Sequence, residues 1–232
     1  MIKGLRGTSL VDYPGKIAAV VFLGGCNFRC PYCYNVDLVL PERLRRLPDL
    51  SEKELLSELR RREGFIRGVV LTGGEPTLWG RRLIDLCARI REAFSLSIKL
   101  DTNGSHPGLL AELLSGALVD YVALDFKTAP SRYPELSADF APVAETLEIL
   151  KGLNGRAEVR ITLAPALVGP KEIEEMLPYL QGLPRLALQK FVGEVELLDP
   201  DFPSQPYSRE ELLSLKEIFR QNLPSTEILT RF

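Results

Sequence analysis

Histidine is almost missing from this 232-residue chain: His106 is the only one. A metal site built on imidazoles is therefore excluded. Cysteine is scarce as well. Of four cysteines only Cys87 lies outside one short stretch, and the opening residues lack the flanks of a secretory signal, so a disulfide framework does not apply. Long apolar runs are absent; the run near the N-terminus, Ile17 to Leu23, falls far short of the roughly 20 residues a membrane span needs. Neither sign of charge prevails, with 29 Lys and Arg against 31 Asp and Glu, so nucleic-acid binding is not indicated as the main task. There is no tandem repeat and no low-complexity tract. What is left is 45% hydrophobic and long enough to bury one full core. A single domain in the cytoplasm, with no membrane and no nucleic acid as partner, is the expectation.

What the chain does have is the stretch Gly24 to Asn35, GGCNFRCPYCYN, which holds Cys26, Cys30 and Cys33. Thiolates at this density are soft ligands for a transition metal or an iron–sulfur cluster. A structural zinc ion needs four ligands, and the stretch offers three with no second C-x-x-C. Three unligated thiols clustered at a surface would oxidise. The reading that remains is a [4Fe–4S] cluster held by three cysteines, its fourth iron open.

Around this stretch the chain alternates strands and helices. Residues 1–16, with the Tyr13-Pro14-Gly15 turn, read as a small hairpin or edge ribbon. Ile17 to Leu23 is a continuous β-branched run of the kind buried on both faces of a parallel sheet. Residues 36–50, with Pro41, Pro48 and Arg43, Arg45 and Arg46, read as an irregular surface insertion. Ser51 and Glu54 form a capping box for a helix to about Glu63. Strands are then expected at 68–72, 97–102, 121–125, 157–163 and 186–191. Helices are expected at 81–94, 107–115, 141–151 and 171–180, and Ser208 with Glu211 caps another to Asn222. Loops rich in proline fill 128–141 and 193–207, and a short strand ends the chain near 227–230. Cys87 falls on the apolar face of its helix, with Leu83, Ile90 and Phe94, and reads as core.

Six strand–helix units predict an α/β fold with right-handed crossovers, a partial (β/α)6 TIM-like barrel spanning 17–192. An N-terminal hairpin precedes it, and a C-terminal loop, helix and short strand over 193–232 follow. Chemistry in such folds gathers at the C-terminal ends of the strands. The unusual motifs sit there: the cysteine stretch, Gly73-Gly74-Glu75-Pro76, Asp101-Thr102-Asn103-Gly104, Asp125-Phe126-Lys127, and the polar residues Arg160 and Gln189. Glycines at 73 and 74 let backbone approach a ligand closely, or simply form a turn. The Asp101–Gly104 group suits ribose hydroxyls or a cation, or a turn. Asp125 and Lys127 share one side of a strand, as ligand contacts or as an ion pair. Arg160 lies among Val159, Ile161 and Leu163, where a charge is tolerated only if paired.

C-x3-C-x2-C with Tyr32 before the last cysteine resembles the signature of the radical S-adenosylmethionine (radical SAM) superfamily, in which the open iron binds the amino and carboxylate groups of SAM. More of the chain, from about Thr8 to Phe191, resembles the activating proteins of anaerobic ribonucleoside-triphosphate reductase: SLVDYPGKIAAVVF, CNFRCPYCYN, LTGGEPT, IKLDTNG, VDYVALDFK and LQKF. Pyruvate formate-lyase activating enzymes share the DTNG and D-x-K elements. The resemblance implies an oxidoreductase that makes a 5′-deoxyadenosyl radical and abstracts an α-hydrogen from a glycine of a glycyl-radical partner, with a flavodoxin or ferredoxin as electron donor. It implies SAM contacts from Tyr32, Gly73, Gly74, Glu75, Asn103, Lys127, Arg160 and Gln189, and a monovalent cation on Asp101, Thr102 and Asp125. The family often has His after the third cysteine, where this chain has Tyr34. Two other readings stay open: a radical SAM enzyme acting on a small molecule, such as a deazapurine synthase, and a metal-binding interaction protein with no catalysis.

Overall fold

The computed structural model describes residues 1–232. Its strands are β1 (Ile2–Ser9), β2 (Ala18–Leu23), β3 (Gly68–Gly73), β4 (Ser97–Thr102), β5 (Tyr121–Asp125), β6 (Ala157–Leu163), β7 (Arg185–Lys190) and β8 (Glu227–Arg231). They form one sheet whose spatial order is their order in sequence. The helices are α1 (Val36–Val39), α2 (Pro41–Leu44), α3 (Glu52–Arg60), α4 (Arg81–Ala93), α5 (Pro107–Ser115), α6 (Ala141–Lys151), α7 (Pro170–Leu180) and α8 (Arg209–Asn222). No helix is long and apolar enough to cross a membrane. The residues group into two compact units. One comprises Met1–Asn27, Asp37–Thr102 and Gly108–Val122; the other comprises Phe28–Val36, Asn103–Pro107 and Ala123–Phe232.

In the first unit β1 runs antiparallel to β2, while β2, β3 and β4 are parallel, with Ala18 opposite Gly68 and Gly68 opposite Ser97. β2 is buried along nearly its whole length, which is why its sequence is continuously apolar rather than alternating. Tyr13, from the turn after β1, packs on Ala18, Val20, Val70 and Tyr121, its ring centroid 5.9 Å from that of Tyr121. The region read as a hairpin or edge ribbon forms the edge strand β1, antiparallel to β2, with a buried aromatic plug behind it. The expected capping box of α3 is present: Ser51 Oγ accepts from Glu54 N, and Glu54 Oε2 accepts from Ser51 N. Cys87 is fully buried in α4, and burial pushes its thiol up to about 12. Residues 36–50 differ from expectation. They form α1 and α2 and bury Val36, Leu38 and Val39, because the Leu38 carbonyl accepts from Gly25 N and ties the segment to the cysteine stretch.

In the second unit β6, β7 and β8 are parallel, with Arg160 opposite Ala187 and Leu188 opposite Thr230. The loop after β5 contains a 3₁₀ helix, Pro130–Leu136, that buries Tyr133 and Leu136. Tyr133 joins Phe126 and Phe140 in an aromatic cluster with centroids 5.0–6.3 Å apart, and Phe140 meets Tyr179 of α7 edge-on at 4.7 Å. On β6 the Glu158 carboxylate is fully buried, and Arg231 Nη2 of β8 reaches both its oxygens at 3.2 and 2.9 Å. A buried carboxylate needs such a partner.

Candidate active site

The first unit carries Cys26 and the ends of β3 and β4. Gly74 N donates to the Leu23 carbonyl at 2.8 Å, and Glu75 N donates to the Gly25 carbonyl at 2.7 Å. A Cβ on Gly74 would overlap the Gly25 carbonyl oxygen and stand 2.6 Å from its carbon. One on Gly73, whose φ is +119°, would meet the Leu23 oxygen at 2.5 Å. The backbone these two glycines admit is therefore that of the residues leading into Cys26. Trp79 Nε1 donates to the Gly24 carbonyl at 2.9 Å and holds the same segment from the other side. Glu75 is 1% exposed. Its Oε1 accepts from Thr77 N at 3.0 Å, Thr77 Oγ1 at 2.6 Å and Thr102 Oγ1 at 2.8 Å. The carboxylate thereby caps the turn after β3 and links it to the end of β4. Asp101 is buried, and the Lys99 ammonium lies 2.5 Å from its Oδ1.

The second unit carries Cys30 and Cys33, with Cys33 N donating to the Cys30 carbonyl at 3.0 Å. The proline-rich loop after β7 clamps this turn: Leu198 N donates to the Cys33 carbonyl at 2.8 Å and Asp199 N to the Pro31 carbonyl at 3.0 Å. Tyr32 is buried against Phe191 and Phe202, with centroids 6.4 and 6.1 Å away. Burial raises the Cys33 thiol, opposed by a backbone hydrogen bond from Asn35 and by the Lys127 charge. Asp125 is gripped from both sides: Arg160 Nε is 2.6 Å from Oδ1 and Lys127 Nζ is 2.9 Å from Oδ2. Burial would raise the Asp125 carboxyl, but Arg160 and Lys127 overcome it and hold it well below the usual carboxylate range. Burial likewise opposes the Lys127 charge, and Asp125 more than offsets it, so the ammonium sits well above its ordinary value. Arg160 is paired, as a charge in an apolar strand must be, and its partner within the unit is Asp125. Asn103 Oδ1 accepts from Ser105 N at 3.0 Å, closing a turn in which Gly104 has φ +81°. Gln189 stands half-buried near the end of β7.

A stability prediction follows from Asp125. Its pKa is depressed in the folded state, so its contribution is complete above the unfolded value of about 4 and is lost as pH falls towards the folded value. Replacing it with Asn strands two cations, and with these side chains partly exposed the loss is about 2 kcal/mol at pH 7. Urea unfolding of the iron-free protein should show the gap between wild type and Asp125→Asn narrowing below about pH 4. A gap that is constant with pH would refute the ion-pair account.

Sequence reasoning missed three features of these half-sites. Lys99 is a charge between Ile98 and Leu100, the same signal that marked Arg160. Phe202 and the Leu198–Asp199 backbone meet the cysteine turn from more than 160 residues away in sequence, and nothing local announces that.

Comparison with known proteins decides the family. The radical SAM superfamily profile matches residues 20–180. The chain belongs to the radical SAM superfamily. It is an enzyme of that superfamily, and its cofactors are a [4Fe–4S] cluster and SAM. A Methanocaldococcus jannaschii protein named "Putative glycyl-radical enzyme activating enzyme" is 29% identical over 99% of this radical SAM chain and 96% of its own length. A 7-carboxy-7-deazaguanine synthase of Methanopyrus kandleri is 30% identical over 76% of this chain and 72% of its own. Among solved structures, Streptococcus suis SuiB bound to S-adenosylmethionine superposes with a TM-score of 0.63 at 14% identity over 92% of this chain. The chain spans only 52% of SuiB. The α/β fold expected from the sequence, that of a partial-barrel radical SAM core, is the fold observed.

The residues fit the cofactors. None of the four cysteines is in a disulfide, and the three of the motif are soft donors of the kind an iron–sulfur cluster takes. No group of three or more cysteine, histidine or carboxylate side chains converges at the spacing of a single metal ion. The Tyr32 hydroxyl is buried and has no hydrogen-bond partner, an orphan of the kind that a bound group satisfies.

Proposed function

We propose that this radical SAM enzyme activates a glycyl-radical enzyme, with anaerobic ribonucleotide reductase as the partner. The observation that carries the proposal is the match to the M. jannaschii protein along essentially the full length of both chains. The deazaguanine synthase match covers less of each chain and favours a second reading, a small-molecule substrate. When bound, the cluster and SAM together supply a one-electron reductive cleavage that yields methionine and a 5′-deoxyadenosyl radical able to take a glycine Cα hydrogen.

The chain's own residues position and shield. Cys26, Cys30 and Cys33 hold the cluster. Gly73 and Gly74 present backbone carbonyls to the SAM ammonium, and the buried Glu75 holds their turn in place. Lys127 and Arg160, which together outnumber the Asp125 charge, attract the SAM carboxylate. Tyr32, Asn103 and Gln189 contact the adenosine portion, with Phe191 and Phe202 keeping water from Tyr32. The proposed electron donor is a flavodoxin or ferredoxin, and the proposed location is the cytoplasm.

The test is electron paramagnetic resonance of the reduced protein mixed with the reductase and SAM. A glycyl doublet on the reductase that requires both SAM and reductant is the expected result. Complete SAM cleavage with no glycyl signal would sink the activase reading in favour of a small molecule. No cleavage at all would sink both in favour of a binding protein.

A further inference from the structure

The resemblance implies a free monovalent cation on Asp101, Thr102 and Asp125, and the residues do not fit one. Lys99 is 1% exposed, and the period of a strand puts it on the same face of β4 as Asp101. Its ammonium lies 2.5 Å from Asp101 Oδ1 and takes the place of a cation bound to that oxygen. Thr102 Oγ1 is engaged with Glu75 at 2.8 Å. Asp125 already has a cation on each oxygen, Arg160 at 2.6 Å and Lys127 at 2.9 Å. A further cation on Asp101 Oδ1 would have to displace the buried Lys99 ammonium or sit against it, and two like charges that close in poorly hydrated surroundings are costly.

We propose that Lys99 is a built-in substitute for the monovalent cation, and that its ammonium holds the Asp101 carboxylate so that SAM binding needs no Na⁺ or K⁺. An ammonium group suits the role, being a compact cation with three donors on a flexible stem. Lys99 is a positioning residue: it touches Asp101, and through it the end of β4. The inference rests on the SAM-binding reading above. A wild-type protein that fails to bind SAM in every one of the salts tested would defeat that reading, not this one.

The experiment measures SAM affinity of the anaerobically reconstituted protein by equilibrium dialysis, at constant ionic strength, in KCl, NaCl or tetramethylammonium chloride. Wild type should vary by less than about twofold across the three salts. Lys99→Met keeps the length of the side chain and removes the charge. Its affinity should fall by about tenfold or more in tetramethylammonium and recover in KCl or ammonium chloride. Thallium(I) NMR supplies a readout independent of SAM: no bound ion in wild type, one in Lys99→Met. If that variant does not fold, Lys99→Met/Asp101→Asn, which removes both charges, should fold and bind no thallium. A wild type that loses about tenfold in tetramethylammonium, or a folded Lys99→Met indifferent to the salt, overturns the proposal.

Discussion

Cys30→Ala, reconstituted anaerobically, should hold less than about one iron per chain where wild type holds about four, and should release no detectable 5′-deoxyadenosine. The reason is the donor inventory. With Cys30 gone the motif keeps two thiols, and the chain's single histidine, His106, shares its Nδ1 with Ser105 Oγ at 2.9 Å. Cys87 is no reserve, because it is fully buried in α4 and its thiol is pushed up to about 12. Burial disfavours the thiolate that a metal requires. Cys87→Ala should therefore retain its iron and lose only about 1–2 kcal/mol of stability from the small void it leaves. Iron and acid-labile sulfide analysis of the two variants side by side separates the outcomes. Full iron in Cys30→Ala, or its loss in Cys87→Ala, would overturn the ligand assignment.

Gly74→Ala should be nearly as severe, though it removes no ligand. The new methyl group would overlap the Gly25 carbonyl, which is backbone and cannot rotate aside. That carbonyl accepts from Glu75 N at 2.7 Å, so the segment entering Cys26 has to move and surrender the bond. Overpacking of this kind costs about 3 kcal/mol, a drop in melting temperature of about 6–12 °C for a chain this size. Iron content should fall with it. Gly108→Ala is the control: a Cβ there meets nothing within 4 Å, and alanine suits its position in α5, so stability should hold or rise slightly. A Gly74→Ala protein with normal melting and normal iron would mean that the glycine is there for a ligand and not for the loop.

Where periodicity and local chemistry decide, sequence and structure agree closely. β4, β5, β6, α5 and α6 have the expected ends, since each is bounded by Pro, Gly or polar residues and carries a clear apolar pattern. The capping boxes at Ser51 and Ser208 are present for the same reason. Residues 36–50 misled because their prolines and arginines outweighed three apolar residues, Val36, Leu38 and Val39, whose burial depends on the tie between Leu38 and Gly25. The motif residues themselves were legible, but not what each one touches. Gly74 reads as space for a ligand and is filled by Gly25. Glu75 reads as an open acceptor, while its Oε1 already takes three hydrogen bonds. A charged residue in an apolar strand shows that it has a partner without saying which: Arg160 has Asp125 and Lys99 has Asp101.

The clamp on the cysteine turn has a consequence for how the protein is made. The backbone donors that fix the Cys33 and Pro31 carbonyls are Leu198 N and Asp199 N. They emerge from the ribosome about 165 residues after Cys33, roughly 10–30 s later at ordinary rates of synthesis. For that interval Cys30 and Cys33 are on a nascent chain without the contacts that shape their turn. On the proposed ligand set, iron loading waits for a nearly finished chain, and a cell that makes this protein keeps those thiols reduced until then.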